Sequence, residues 1–182
     1  MKKYFIEYKP FLLFIGTFFL VYVLLMVLYQ FYLNSFGDLK IDSITKLVAR
    51  NTASILQLFS EGTIQEDKAI PYIKLFYKQK YVARIIEGCN AMSVIILFIS
   101  FVVAFSGKFK TTLLFILCGS AIIYFLNVLR IALLAVALYH FKELQHILHG
   151  VIFPLVIYGV VFILWVVWVN KFSKYATKTI KS

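Results

Sequence analysis

The run FLLFIGTFFLVYVLLMVLYQFYL, Phe11 to Leu33, holds 23 consecutive residues without a charge. About 20 such residues, at about 1.5 Å of helical rise each, cross the hydrocarbon layer of a bilayer. The pattern recurs. Asn90 to Phe105 carries no charge, Thr111 to Phe141 is broken only by Arg130, and Gly150 to Asn170 is again uncharged. Packing inside a water-soluble core does not account for so much uninterrupted apolar sequence, so the chain is expected to be an all-α polytopic membrane protein. A composition that is 62% hydrophobic and only 15% charged agrees.

The formal net charge of +11 raises nucleic acid as a partner, but most of the lysines flank the apolar runs. There they orient the spans and attract anionic headgroups, so a membrane lipid partner is expected and a nucleic-acid partner is not. The two cysteines, Cys89 and Cys118, form no C-x-x-C pair, which points to neither a disulfide framework nor a zinc site. No metal or organic cofactor is indicated. The N-terminus begins with Lys2 and Lys3 as a signal sequence would, yet its apolar run is long and no small-x-small cleavage site follows, so it reads as a retained span.

The chain is expected to form one integral membrane domain over residues 1–182. Its spans cover about 11–33, 90–106, 111–130 with an apolar continuation to 141, and 150–169, with a polar region at 34–88 on the outer side. In that region Ser43 to Phe59 places Ile44, Leu47, Val48, Ile55, Leu58 and Phe59 mostly three or four residues apart, which predicts an amphipathic helix. Glu61 to Lys80, with Gly62, Pro71 and mixed charge, reads as a loop with a short extended or helical piece. YVARIIEG after it reads as extended. Trp165 and Trp168 read as interfacial anchors of the last span. Taking the third stretch as one span puts Lys2, Lys3, Lys9, Lys108, Lys110 and the C-terminal lysines Lys171, Lys174, Lys178 and Lys181 on the cytoplasmic side, as the positive-inside rule requires. Two spans there would put the tail lysines outside. Lys74, Lys78, Lys80 and Arg84 stand outside in the four-span reading, against the trend.

Counting from the cytoplasmic lysines, Cys89 is 19 residues before Lys108, Arg130 is 20 after Lys110 and His149 is 22 before Lys171. At about 1.5 Å per residue each lies about 30 Å from the inner boundary, the thickness of the hydrocarbon core. A thiol, a guanidinium and an imidazole are thus expected at one depth, the outer face. Each also has a plain reading. A membrane cysteine is often a small packing residue, as expected for Cys118; an arginine snorkels; histidines at a helix start cap it or sit at the interface. Asn127 lies three residues before Arg130, on the same helical face, within reach of such a site, and Asn90 stands beside the cysteine. His146 shares a face with His149 and is the alternative histidine.

Acyl transfer through a cysteine needs this set: a thiolate to attack a peptide carbonyl, an arginine to stabilise the oxyanion, and a histidine to carry the proton. EGCNA opening one span, NVLRIALL 41 residues on, and LHG opening the last span resemble, in that order, the Cys, Arg and His motifs of the exosortase/archaeosortase family of membrane transpeptidases. HGVIFPLVIYG and the short length look most like the compact exosortase F type. The resemblance covers roughly Tyr81 to Trp168. It implies a cysteine-dependent protease and sorting enzyme of the cytoplasmic membrane. Such an enzyme cleaves a C-terminal signal (short motif, transmembrane helix, basic tail) from exported proteins and transfers the product to a membrane or surface acceptor. By the same resemblance Cys89 is the nucleophile, Arg130 the transition-state stabiliser or proton donor, and His149, or else His146, the acid/base. The contrasting readings are a non-catalytic membrane protein, such as a transporter subunit binding an anion through Arg130, and a structural partner of an export complex.

Overall fold

The computed structural model describes residues 8–37, 40–66, 70–105, 107–141, 143 and 145–173. The lysines at positions 2, 3, 174, 178 and 181, used above for orientation, lie outside the described residues. Helix α1 (Lys9–Asn34) carries Pro10 in its first turn, where the missing N–H is no loss, and buries none of its residues within the protein. A helix apolar on every side and bare of protein contact around most of its circumference needs lipid around it. Among the described residues three helices are long and apolar enough to cross a membrane: α1, α4 (Phe109–His140, 32 residues) and α5 (Gln145–Phe172, 28 residues). Between them runs a shorter apolar helix, α3 (Met92–Ala104, 13 residues), which packs against α1, α4 and α5.

Two differences from the expected spans bear on the site. The third stretch is one unbroken helix, so the chain does not reverse within it, and it continues ten residues past Arg130. The second span is shorter than the residue count suggested. Helix α3 begins only at Met92, after a 3-10 turn at Glu87–Cys89 and a left-handed Ala91 (φ 63°). Its 13 residues rise only about 20 Å. Counting from Lys108 to Cys89 therefore overstated the helical distance, because the residues flanking α3 are turn and loop.

The polar region adds a small sheet to the mostly helical fold. Asp42 caps the amphipathic helix α2 (Ser43–Phe59), its Oδ1 accepting from the N–H groups of Ile44 and Thr45 at 2.9 Å each. The face of α2 that turns inward carries Val48, Ala49, Thr52, Ala53 and Leu56. After it come β1 (Gly62–Glu66), β2 (Ile73–Tyr77) and β3 (Lys80–Ile85), an antiparallel sheet in that order. Gly62 is required where β1 leaves α2: a Cβ there would stand 2.9 Å from the Ala53 carbonyl oxygen, which cannot move aside. Strand β2 alternates Ile73, Leu75 and Tyr77 inward. The β2–β3 turn is made by Lys78 and Gln79, both at positive φ (48° and 61°).

There are two apolar cores, and α4 belongs to both. One joins α2 and the sheet (Val48, Leu56, Leu75, Ile85) to the far end of α4 through Val128, Ile131, Ala132 and Ala135. The other joins α3, α4 and α5 through Phe98, Val102, Ile123, Val161 and Trp168. Trp168 is not an exposed interfacial anchor: it is fully buried, and its indole N–H donates to the Phe105 carbonyl at 3.0 Å. Trp165 stacks on Phe101 at 4.2 Å. Cys118 is not packed within the protein either; it is exposed on α4, toward the lipid.

Candidate functional site

Cys89 ends the 3-10 turn that follows β3, and its N–H donates to the Ile86 carbonyl at 2.8 Å. The turn is pinned from both sides. Asn127 of α4, buried at 2% exposure, donates its amide to the Cys89 carbonyl at 2.7 Å. The next residue, Asn90, is equally buried and fully engaged. Its amide donates to Tyr29 Oη of α1 (2.7 Å) and Thr45 Oγ1 of α2 (3.1 Å), and its Oδ1 accepts from Met92 N–H at the start of α3 (3.0 Å). Asn90 thus ties three helices together beside the cysteine and holds the chain where it enters the bundle. Its polar groups are turned to structure, not to the site.

The thiol-bearing residue itself is half-buried and lines a cavity of about 310 Å³. Strand β3 and its exit contribute Val82, Arg84 and Ile86; α4 contributes Leu134 and Leu138; α5 contributes Gln145 and His149. Cys89 and His149, 60 positions apart in the chain, therefore share one space. His146, one turn earlier and exposed as His149 also is, does not line it. His149 sits on a π-helical turn, Leu148–Ile152, in which Phe153 N–H reaches back to the Leu148 carbonyl. Pro154 follows immediately. Lacking an N–H, it cannot continue the ordinary ladder at this point, and wide turns of this kind recur at functional sites.

Arg130 is not part of the cavity wall. It lies four residues before Leu134 on α4, hence about 6 Å nearer Lys110 and on nearly the same face, so it stands below the cavity. Its Nε is buried and has no hydrogen-bond partner among the described residues. Leaving such a donor unmatched costs about 1–3 kcal/mol, a cost that an accepting oxygen in the cavity floor would remove. No acidic side chain lines the cavity; Glu87, two residues before the cysteine, is exposed elsewhere.

Two lining residues went unsuspected in the sequence, Arg84 and Gln145. Arg84 lies over the Tyr72 ring, 5.9 Å from its centroid, which steadies its guanidinium at the rim. It had been noticed only as a basic residue on the wrong side. Its assignment to the cavity depends on the register of β3, paired here to β2 with Arg84 opposite Lys74. Gln145 was missed because the last helix begins five residues before Gly150. Among the described residues no cluster of His, Cys, Asp and Glu could hold a metal.

A cysteine and a histidine share a cavity where the helical bundle of a polytopic membrane protein meets a small polar lobe, with an unmatched arginine donor beneath. That arrangement defines a polytopic membrane protein with a thiol-bearing and an imidazole-bearing residue on one cavity. Over residues 11–169 the chain matches the transmembrane exosortase family, and it belongs to that family. The family comprises membrane transpeptidases and proteases acting on exported proteins that carry sorting signals. No curated protein and no solved structure matches the chain.

Proposed function

We propose that the protein is a cysteine transpeptidase of the cytoplasmic membrane with its site on the outer face. It cleaves a C-terminal sorting signal (motif, apolar helix, basic tail) from exported proteins and transfers the product to a membrane or surface acceptor. The carrying observation is that Cys89 and His149 line one cavity, while the unpartnered Nε of Arg130 stands one helical turn below it on α4. In this reading the Cys89 thiolate attacks the scissile carbonyl carbon and forms a C–S bond. Negative charge moves to the carbonyl oxygen, which accepts from Arg130. Collapse breaks the C–N bond, and imidazolium His149 gives its proton to the departing amine. His149 then takes the proton of the incoming nucleophile, whose attack on the thioester releases the Cys89 thiolate. The half-buried position of Cys89 suits a chain entering from the membrane side, since the cavity is walled by α4 and α5.

The test is processing of an exported protein bearing such a signal in cells carrying variants. Cys89→Ala and His149→Ala are expected to abolish processing, and His146→Ala to leave it near the wild-type level. Arg130→Lys, which keeps the charge but loses the planar fork, is expected to remove most of it. Full processing by a stably inserted Cys89→Ala protein would overturn the reading.

A further inference from the structure

A second cavity lies on the opposite side of α4. At 3.6 residues per turn, Leu134 and Leu138, which face Cys89, point roughly opposite to Ala132, Leu133 and Val136. These last three line a space of about 350 Å³ closed by Ile55 and Phe59 of α2 and Tyr77 of β2. Its lining is apolar apart from the tyrosine hydroxyl. Leu133 is 51% and Phe59 74% exposed, so the space opens sideways past them.

The height of this slot matters. Leu129, at its lower end, is 19 residues past Lys110 and Val136 is 26 past it, which places the slot about 28 to 39 Å along α4, across the level where a core about 30 Å thick gives way to headgroups. Directly above, Tyr139 continues the same face and meets the Tyr77 ring edge-on at 5.4 Å. Two ammonium groups sit there. Lys78 Nζ is 5.7 Å from the Tyr77 ring centroid and 5.5 Å from that of Tyr139, and Lys80 Nζ is 5.5 Å from that of Tyr139. The left-handed pair Lys78–Gln79 makes the tight turn that presents both. The nearby carboxylate of Glu61 accepts from the Gln79 amide at 3.3 Å, and among the described residues neither lysine is ion-paired.

An apolar slot at the edge of the hydrocarbon layer, with two cations held a helical turn above it, has the shape and charge of an anionic lipid's complement. We propose that this face of α4 binds one anionic phospholipid from the leaflet on the lobe side, its acyl chain between α2 and α4 and its phosphate against Lys78 and Lys80. Bound there, it would brace α2 and β2 against the back of the helix whose other face lines the Cys89 cavity. The four basic residues that run against the positive-inside trend thereby gain a role for two of their number. This binding is independent of the peptidase reading.

Native mass spectrometry of the full chain tests it, with the purified protein offered phosphatidylglycerol and phosphatidylcholine of the same acyl composition. One phosphatidylglycerol is expected to be retained per protein, with a preference of about 30-fold, as two lysines at the headgroup level would confer. The exposed double variant Lys78→Gln/Lys80→Gln should lose the preference and still retain lipid. Leu133→Trp, at the mouth, should reduce retention of both lipids. Equal retention of the two lipids by the unaltered protein, or a preference undiminished in the double lysine variant, would overturn the proposal.

Discussion

Replacing Asn127 with leucine keeps the branched outline and heavy-atom count of the side chain and removes its donor. The Cys89 carbonyl, bonded at 2.7 Å to a residue only 2% exposed, is then left without this partner. An unmatched buried acceptor costs about 1–3 kcal/mol. Because the contact joins one residue of α4 to the last residue of a three-residue 3-10 turn, the loss should fall on the seating of that turn more than on the bundle. At about 1.4 kcal/mol per tenfold, the population in which the turn has lifted from α4 should rise about 5- to 150-fold. The assay is alkylation of Cys89 by a membrane-impermeant maleimide in lipid nanodiscs, followed by intact-mass spectrometry. Cys118 is exchanged for serine so that one thiol remains; it is exposed on α4, and its replacement should not disturb the cavity. Asn127→Leu is expected to speed alkylation within the calculated range, and Asn127→Asp, which turns an acceptor toward the carbonyl, at least as much. Rates within about twofold of the parent, the spread of a neutral substitution, in a protein of unchanged thermal stability would refute the idea that this bond seats Cys89.

Two further outcomes follow from the packing. Gly119→Ala would place a Cβ 2.6 Å from Cε1 of the fully buried Phe98 ring; overpacking of this kind costs about 1–3 kcal/mol, visible as a lowered midpoint in denaturant and partly restored by adding Phe98→Leu. Asn90→Ala should likewise lose about 1–3 kcal/mol, because buried groups on three helices lose their partner. In that variant thioester formation per folded molecule should fall far less than in Cys89→Ala, and an equal loss would mean that Asn90 acts in the chemistry.

How much of this was legible beforehand depended on the strength of each local signal. Helix α2 announced itself through its three- and four-residue spacing, but of the six residues read as its apolar face only Val48 is buried; Leu47, Leu58 and Phe59 are exposed, and the inward face runs through Thr45, Val48, Thr52 and Leu56 instead. Long charge-free runs are equally plain, because nothing but lipid tolerates them. The sheet was harder to read. In IKLFY the alternation of Ile73, Leu75 and Tyr77 is blurred by Phe76, which is as apolar as its neighbours. The turn between β2 and β3 offers no warning either: such turns favour Asn-Gly or Asp-Gly, and here Lys78 and Gln79 take the left-handed conformation instead. For the site, counting along the chain put Cys89, Arg130 and His149 at one level, and although that count overstated the helical distance from Lys108 to Cys89, one cavity is lined by both Cys89 and His149. It could not show which side chains meet laterally, since that depends on the rotation of each helix and the register of each strand. Arg84 and Gln145 entered the cavity for that reason, whereas Arg130, on nearly the same face as Leu134, falls one helical turn short of it along α4.

The sharing of α4 between two cores also sets an order in time. The lobe's own residues, from Ile41 to Ile85, are complete early in synthesis, but Val128, Ile131, Ala132 and Ala135 belong to the same core. Fifty residues separate Ile85 from Ala135, which at about 5–20 residues per second is about 2.5 to 10 s of elongation. Throughout that interval α2 and the strands lack the surface they close on, and so does the turn that carries Cys89, since Asn127 arrives on the same helix. The turn that carries Cys89 is thus seated only after α4 has been made, and no shorter nascent chain holds it in place.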